Sequence, residues 1–277
     1  MRNLARALLI PLSILLLTVT VDTHAQTQPS GSNAAPPPSA TSTDWHDRLF
    51  HAFIEDPAIA DRQWWEGQIV YIDGPFDDFS ATLIRGVFAI RMMPDVEVGA
   101  RVGFGEADLP GGNESGATDL DIWGKYSLGS TTGGFDVAVG GVATVPTGDD
   151  SAGLGFDAFA LSAFGAARWQ FESFTIGARA GLRFNEDGRD PGGNDIDGKT
   201  SWMAGGSVTY PFSDRASFVG EVNYESERFD GGETDASALG GINWRLGERG
   251  VLRGAIQLGL SDGAPDTLLL VGYAHRF

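Results

Sequence analysis

The sequence predicts an all-β protein: a transmembrane antiparallel up-and-down β-barrel of about 12 strands with a short N-terminal periplasmic helix. Three observations lead to this prediction. Apolar and polar residues alternate with a period of two from about residue 67 to the end. Most alternating runs have ten or more residues, the length that a tilted strand needs to cross a bilayer. Short turns alternate with long, acidic, glycine-rich loops, as in bacterial membrane barrels.

Residues 1–25 have the composition of a secretory signal peptide. Arg2 and Arg6 precede an apolar run over 7–21, and small residues flank His24. The run is too short for a typical membrane-spanning helix. We therefore expect a cleaved signal that directs the chain out of the cytoplasm.

Two segments separate this signal from the barrel, which is predicted to span 66–277. Residues 26–43 are rich in Pro, Ser, Thr and Ala and carry no charge, which predicts a flexible linker. Residues 44–65 then form a segment with helical periodicity. The sequence leaves open whether this segment plugs the barrel lumen or rests on the periplasmic side.

The helical prediction for 44–65 depends on the spacing of large apolar side chains. Trp45, Leu49 and Phe53 recur every four residues, and Asp44 is placed as an N-cap. This pattern predicts a short amphipathic helix over about 45–55.

Twelve alternating runs supply the predicted strands. In 174–184, for example, every second residue from Phe174 is apolar, and the residues between them include Arg179 and Arg183. An even number of strands returns both chain ends to one side, and the short turns assign that side to the periplasm. The runs lie at about 67–73, 80–92, 95–106, 117–128, 134–146, 156–170, 172–184, 200–211, 215–226, 235–247, 250–260 and 266–277.

Alternation alone also fits a soluble β-sandwich, so the aromatic residues decide between the two architectures. They lie on the apolar faces, mostly near strand ends, as the aromatic girdles of a membrane barrel require. The polar faces are then predicted to line an aqueous lumen. The girdle residues are Phe104, Tyr126, Phe135, Trp169, Phe171, Phe184, Tyr210, Phe212, Tyr224, Trp244, Tyr273 and Phe277.

The predicted lumen wall is rich in basic residues, although the whole chain has a formal net charge of -18. The surplus acidic residues cluster in the long loops, so we hypothesise an acidic mouth above a basic lumen. The side chains predicted to line the lumen and set its selectivity are Arg85, Arg91, Arg101, Asp119, Asp121, Lys125, Arg168, Arg179, Arg183, Glu221, Arg245 and Arg253.

Several kinds of chemistry are disfavoured. The chain contains no Cys, which excludes disulfides and thiolate sites, and its negative charge argues against nucleic acid as a partner. His46 and His51 do not share a helix face, so no metal site is predicted. The acidic loop 185–198 lacks the bidentate Glu of a calcium loop and is interpreted as solvated, with loose cation binding as the alternative. We expect no enzymatic activity and no cofactor.

The last alternating run, 266–277, is predicted to close the barrel by pairing with the first strand. Phe277, with Tyr273 four residues before it, resembles the C-terminal signal that the outer-membrane insertion machinery reads, and His275 departs from that pattern. The predicted location is therefore the Gram-negative outer membrane, with both termini in the periplasm.

The stretches 116–128 and 135–169 resemble the MetA-pathway phenol-degradation family of outer-membrane transporters. An Asp-led strand ending in Lys-Tyr, a Pro-Thr-Gly turn, a Gly-x-Gly and a further Asp carry the resemblance. It implies a barrel that passes small, often hydrophobic or aromatic, compounds, and it supplies no functional residues. The matching positions are Asp119, Lys125, Tyr126, Pro146, Thr147, Gly148, Gly153, Gly155 and Asp157.

The sequence thus predicts a passive outer-membrane channel for small solutes. A basic wall favours anions, and the resemblance to the family implies hydrophobic or aromatic compounds. The alternative is an outer-membrane barrel that transports nothing and serves a structural or partner-binding role. Expected partners are membrane lipid and lipopolysaccharide, the barrel insertion machinery and a small-molecule solute.

Overall fold

The computed structural model describes residues 47–51, 54–60, 62–74, 79–109, 112–131 and 134–277. These residues form one closed antiparallel sheet and contain no α-helix. Within the same residues, no helix is long and apolar enough to cross a membrane.

Twelve strands form the ring. β4 and β5 are two parts of one wall strand, interrupted at 118–119, and β9 and β10 form a small separate hairpin. The strands are β1 (Trp64–Asp73), β2 (Ser80–Met93), β3 (Val96–Leu109), β4 (Gly112–Ala117), β5 (Leu120–Thr131), β6 (Phe135–Val145), β7 (Ala160–Gln170), β8 (Thr175–Asn185), β9 (Gly188–Arg189), β10 (Asp195–Ile196), β11 (Thr200–Ser213), β12 (Ala216–Glu225), β13 (Asp235–Arg245), β14 (Gly250–Gly259) and β15 (Thr267–Arg276).

The ring closes where the sequence predicts. β1 pairs with β15 from Trp64 opposite Arg276 to Asp73 opposite Thr267, and β1 also pairs with β2 along its whole length. The prediction of a twelve-stranded antiparallel barrel is confirmed. We call the end of the barrel with the short turns, where β1 begins and β15 ends, the turn end, and the opposite end the loop end.

The interruption between β4 and β5 has a local cause. Thr118 pairs with Gly103 through its backbone N–H and also accepts the Gly103 N–H on its hydroxyl oxygen, at 2.9 and 2.8 Å. Asp119 turns away from the ladder and accepts the N–H of Gly148 at 2.9 Å. The loop after β6 is thereby fixed against the loop end of the barrel.

The outside of the barrel is apolar, as the alternation predicts. Large apolar side chains such as Ile84, Val139 and Val271 are exposed there, whereas their strand neighbours point inward. The predicted girdle residues are exposed except Phe135 and Tyr273, which are half-buried. Such a surface is stable in contact with lipid, which agrees with the predicted transmembrane class.

The segment before β1 differs from the prediction. We call residues 47–60, of which 47–51 and 54–60 are described, the plug segment. Its described residues form turns and bends and no α-helix, so the predicted amphipathic helix is not confirmed, and they lie inside the lumen. Leu49, Phe50 and Ile54 are only 8, 2 and 3 % exposed and pack against the barrel wall. Asp44, Trp45 and Phe53, which also carried the helical pattern, lie outside the described residues.

Side chains of the wall explain why the described part of the segment is not helical. The Phe50 and His51 N–H groups donate to Glu221, and the Ala60 N–H donates to Glu97 at 2.8 Å. A helix would bond such groups internally. Because the wall offers charged acceptors, these three N–H groups are bonded without a helix.

The inward packing of the wall generates a first prediction. A Cβ at Gly99 would overlap the buried ring of Trp123 and lie 2.6 Å from the Phe88 carbonyl oxygen, whereas a Cβ at Gly124 would lie 3.8 Å from its nearest neighbour. We expect Gly99→Ala to lower the free energy of unfolding by about 1–3 kcal/mol because the core is overpacked. Gly124→Ala on the adjacent strand is the matched control. Thermal unfolding in detergent micelles measures both, and equal stability of the two variants would contradict this packing argument.

Candidate functional site

The candidate site is the lumen itself, where strand alternation brings the predicted charged side chains together with the plug segment. Lys125, Arg168 and Arg253 are buried. Each points into the lumen, whereas its neighbours in the strand face outward. Charged groups so far from water require partners. In the half of the lumen nearest the turn end, half of those partners come from the plug segment and half from the wall.

Arg253 of β14 forms the anchor with the largest number of partners. Its guanidinium donates to the carbonyl oxygens of Arg48 and Leu49, to the Asn243 amide oxygen and to the Glu66 carboxylate. The Asn243 amide also donates to the Arg48 carbonyl at 3.0 Å. One wall arginine therefore ties together three wall strands and the backbone of the plug segment.

A second group of contacts holds the other end of the segment. The Lys125 ammonium donates to the Asp56 carbonyl oxygen at 3.0 Å and lies 3.1 Å from Glu97. Arg168 bridges the Asp56 carboxylate and Asp136, both at 3.3 Å. Glu97 accepts from Arg48 at 3.5 Å as well as from Ala60.

The remaining contacts run along the opposite wall. Glu221 accepts two backbone N–H groups, as described above. The Ser217 hydroxyl donates to Asp47 at 2.7 Å, and Arg245 lies 3.5 Å from the same carboxylate. Arg179 lies 3.8 Å from Glu55 and donates to Asn223. Six of the predicted lumen residues thus bind the plug segment: Lys125, Arg168, Arg179, Glu221, Arg245 and Arg253.

The half nearer the loop end has wall-to-wall contacts instead. Arg101 donates to Asp121 through two nitrogens, at 2.6 and 3.0 Å, and Asp121 also accepts from Thr144. Arg183 lies 3.0 Å from Glu225. Within the described residues, Arg85 has neither a hydrogen bond nor an ion pair.

Two of the predicted residues lie at the ends of the lumen rather than in its middle. Arg91 is at the turn end, where its guanidinium donates to the carbonyl oxygens of Met93 and Pro94 at 3.3 and 2.6–2.9 Å. Asp119 is at the loop end, against the loop after β6, and burial raises its pKa.

The charges of several wall arginines act on His51 of the plug segment. Burial, followed by the positive charges of Arg179, Arg101, Arg85 and Arg183, lowers its pKa to about 3. The imidazole is therefore neutral at pH 7. The sequence predicts no metal site at His51. Among the described residues, no group of three or more His, Asp or Glu side chains is arranged to hold a metal ion.

A small cavity remains between the plug segment and the wall. It has a volume of about 90 Å³ and is lined by Glu55 and Asp56 on one side and by β7, β8 and β11 on the other. Gly177, Gly205 and Gly206 form part of the wall at this point. The space accommodates a few water molecules.

Sequence reasoning missed the acids of the plug segment. Asp47, Glu55 and Asp56 meet Arg245, Arg179 and Arg168 respectively. The available signal was their charge: they lie in a segment with many apolar side chains that precedes a barrel with a basic wall. Spacing along the chain could not identify their partners, because more than 100 residues separate each pair.

A closed barrel with an apolar exterior and a charged lumen defines the class of outer-membrane β-barrel proteins. Within this class, the chain belongs to the family described as "Putative MetA-pathway of phenol degradation", whose profile matches residues 61–277. The resemblance found in the sequence is confirmed by this match. No curated protein sequence matches the chain.

Solved structures with the same fold are outer-membrane proteins of low sequence identity. The COG4313 outer membrane channel from Pseudomonas putida F1 is 13% identical, with a TM-score of 0.66 over 80% of this chain and 98% of that one. The NanC porin is 12% identical, with a TM-score of 0.56 over 77% of this chain and 100% of that one. The KdgM porin in complex with disordered oligogalacturonate is 10% identical, with a TM-score of 0.55 over 77% and 99%.

The plug contacts generate a second prediction. Replacing Glu221 with Ala removes the acceptor of the Phe50 and His51 N–H groups, and a buried donor without a partner costs about 1–3 kcal/mol. We therefore expect hydrogen exchange at residues 50 and 51 to become about 10–100-fold faster, while exchange in the strands stays unchanged.

Hydrogen-exchange mass spectrometry in micelles measures this effect. Glu172→Ala, at an exposed position in the turn between β7 and β8, is the matched control. Unchanged protection of residues 50 and 51 in Glu221→Ala would mean that Glu221 does not hold the segment.

Proposed function

We propose that the protein is a passive channel for small solutes in the Gram-negative outer membrane, closed by its own plug segment. The observation that carries the proposal is the turn-end half of the lumen, where the charged wall is bound to a separate segment of the chain. The family and the fold support a channel, and the printed descriptions of the similar structures name a channel and porins.

The way in which the segment is attached supports displacement toward the turn end. It precedes β1 directly, and β1 begins at the turn end with Trp64. All its described wall contacts are hydrogen bonds, ion pairs and apolar packing, each of which can break and re-form. We propose that the turn end faces the periplasm, so that the segment enters from that side and both chain ends lie there.

The other expectations about the chain form part of the same proposal. Residues 1–25 act as a cleaved signal and 26–43 as a periplasmic linker; both lie outside the described residues. Tyr273 and Phe277 serve as the insertion signal, and lipid and lipopolysaccharide surround the barrel. The protein has no enzymatic activity.

Charge supports a preference for anions. In the closed state Arg168, Arg179 and Arg245 face acids of the plug segment. When the segment leaves, these acids leave with it and the wall becomes more basic. A basic pore wall attracts anions and repels cations. The resemblance to the family adds hydrophobic and aromatic compounds to the candidate solutes.

The alternative is a barrel that is permanently closed and serves a structural or partner-binding role. The number of polar contacts that hold the plug segment favours this alternative. The two functions differ in one measurable property, the conductance of the lumen when the segment is free to move.

A reversible tether provides the third prediction. The chain has no Cys, and the side chains of Asp47 and Ser217 meet at 2.7 Å, so Asp47→Cys with Ser217→Cys creates a single disulfide between plug segment and wall. In planar bilayers we expect the oxidised protein to be silent and the reduced protein to conduct.

The two single-Cys variants are the controls for this experiment, and their conductance should not respond to oxidant. Equal conductance of the oxidised and reduced double variant would show that solutes pass without displacement of the segment. A reduced protein that never conducts would support the permanently closed barrel.

Selectivity gives the fourth prediction. Arg179→Glu combined with Arg183→Glu reverses two charges that face the lumen, and we expect the anion preference, measured as a reversal potential in a salt gradient, to fall or invert. Arg215→Glu is the control, because Arg215 lies exposed in the turn between β11 and β12. An unchanged reversal potential in the double variant would refute selection by the basic wall.

A further inference from the structure

Arg85 differs from the other arginines and lysines predicted to line the lumen. Its guanidinium has no hydrogen bond or ion pair within the described residues, whereas Arg101, Arg183 and Arg228 all donate to wall side chains. Arg85 lies near the middle of β2 and is half-buried. Two carboxylates, Asp121 and Glu66, act on the Arg85 charge, but each is already bound to another arginine. Asp121 binds Arg101, and Glu66 binds Arg253.

Several positive charges act on the part of the lumen that Arg85 faces. Arg101 acts on Arg85 itself, and the charges of Arg85, Arg101, Arg179 and Arg183 all act on the His51 ring. Glu221, which contacts this part of the plug segment, accepts the His51 backbone N–H. Arg101, Arg179 and Arg183 have acidic partners, so the uncompensated charge is that of Arg85.

Apolar side chains flank Arg85 on the same face of its strand. Leu83 and Val87 are two positions to either side, point inward and are each 3 % exposed. They belong to the apolar cluster of the lumen, together with Trp123 and Phe164. A ligand bound to Arg85 would thus have a cationic group with free donors at one side and apolar side chains beside it.

We propose that Arg85, on the inner face of β2 between Leu83 and Val87, is the binding site for a small monocarboxylate with an apolar body. A guanidinium can donate two parallel N–H groups to a carboxylate. Such paired, charge-assisted hydrogen bonds are among the strong hydrogen bonds in proteins. Arg101 and Arg183, each paired with a wall carboxylate, add attraction. The site deepens the proposed channel function by naming its substrate class.

The test is binding, measured by isothermal titration calorimetry on the full chain in detergent micelles at pH 7. Benzoate is the probe, and benzamide, its neutral counterpart of similar size and shape, is the control ligand. We expect saturable binding of benzoate, and binding of benzamide at least tenfold weaker because the charge-assisted pairing is lost.

Variants of Arg85 assign the site. Arg85→Gln should weaken benzoate at least tenfold, and Arg85→Lys should give an intermediate affinity, since a point charge remains but the paired donors do not. Arg215→Gln, at an exposed position in the turn between β11 and β12, should bind as the unaltered protein does. Heat-modifiable migration in gels identifies any variant that is not folded, and Arg85→Lys keeps the test decisive if Arg85→Gln does not fold.

Three results would overturn the proposal: no saturable benzoate binding, equal affinity for benzamide, or unaltered benzoate affinity in a folded Arg85 variant. These results are separate from those that test the channel. Benzoate binding to a barrel that never conducts would support the binding site and refute the channel. Conductance without benzoate binding would support the channel and refute the binding site.

Discussion

Ring closure is the constraint on which the rest of this structure depends. In a bilayer no water is available to bond the backbone, so every N–H and C=O group of the wall must find a partner in the protein. The pairing of β1 with β15 meets this requirement by removing both sheet edges. Closure also divides each strand into an outer face for lipid and an inner face for the lumen, because successive side chains point in opposite directions.

The second consequence of closure is electrostatic. Inward faces bring side chains such as Arg253, Lys125 and Glu97 to depths where an unpaired charge is costly. Removing one member of a buried pair is far more damaging than replacing the pair with apolar groups, so each such group depends on its neighbours. Here the chain meets the demand with a segment from outside the wall, whose carbonyl oxygens and carboxylates complete the partners of the basic residues.

The sequence predicted the wall well and its contents less well, for a physical reason. A strand with one face in lipid shows a period of two in its own residues, and the twelve runs could be read locally. The path of the plug segment depends on bonds such as that of Ala60 to Glu97, which pairs residues from separate parts of the chain. Leu49 and Phe50 are buried, as their apolar character predicts, but the wall's acceptors and not the local pattern decide their backbone conformation. The alternation likewise predicted which side chains point inward. It could not predict that Arg101 pairs with Asp121 whereas Arg85 has no partner among the described residues.

Closure and selectivity are linked through the same three carboxylates. Asp47, Glu55 and Asp56 hold the plug segment in place because the wall opposite them is basic. Any movement that withdraws the segment also withdraws their negative charge, since they are part of it. The cost of exposing the basic wall therefore depends on what replaces those carboxylates. Small anions in the lumen would lower that cost, and cations would not. If the segment is displaced as we propose, opening is favoured by the same anions that the proposed open wall would prefer.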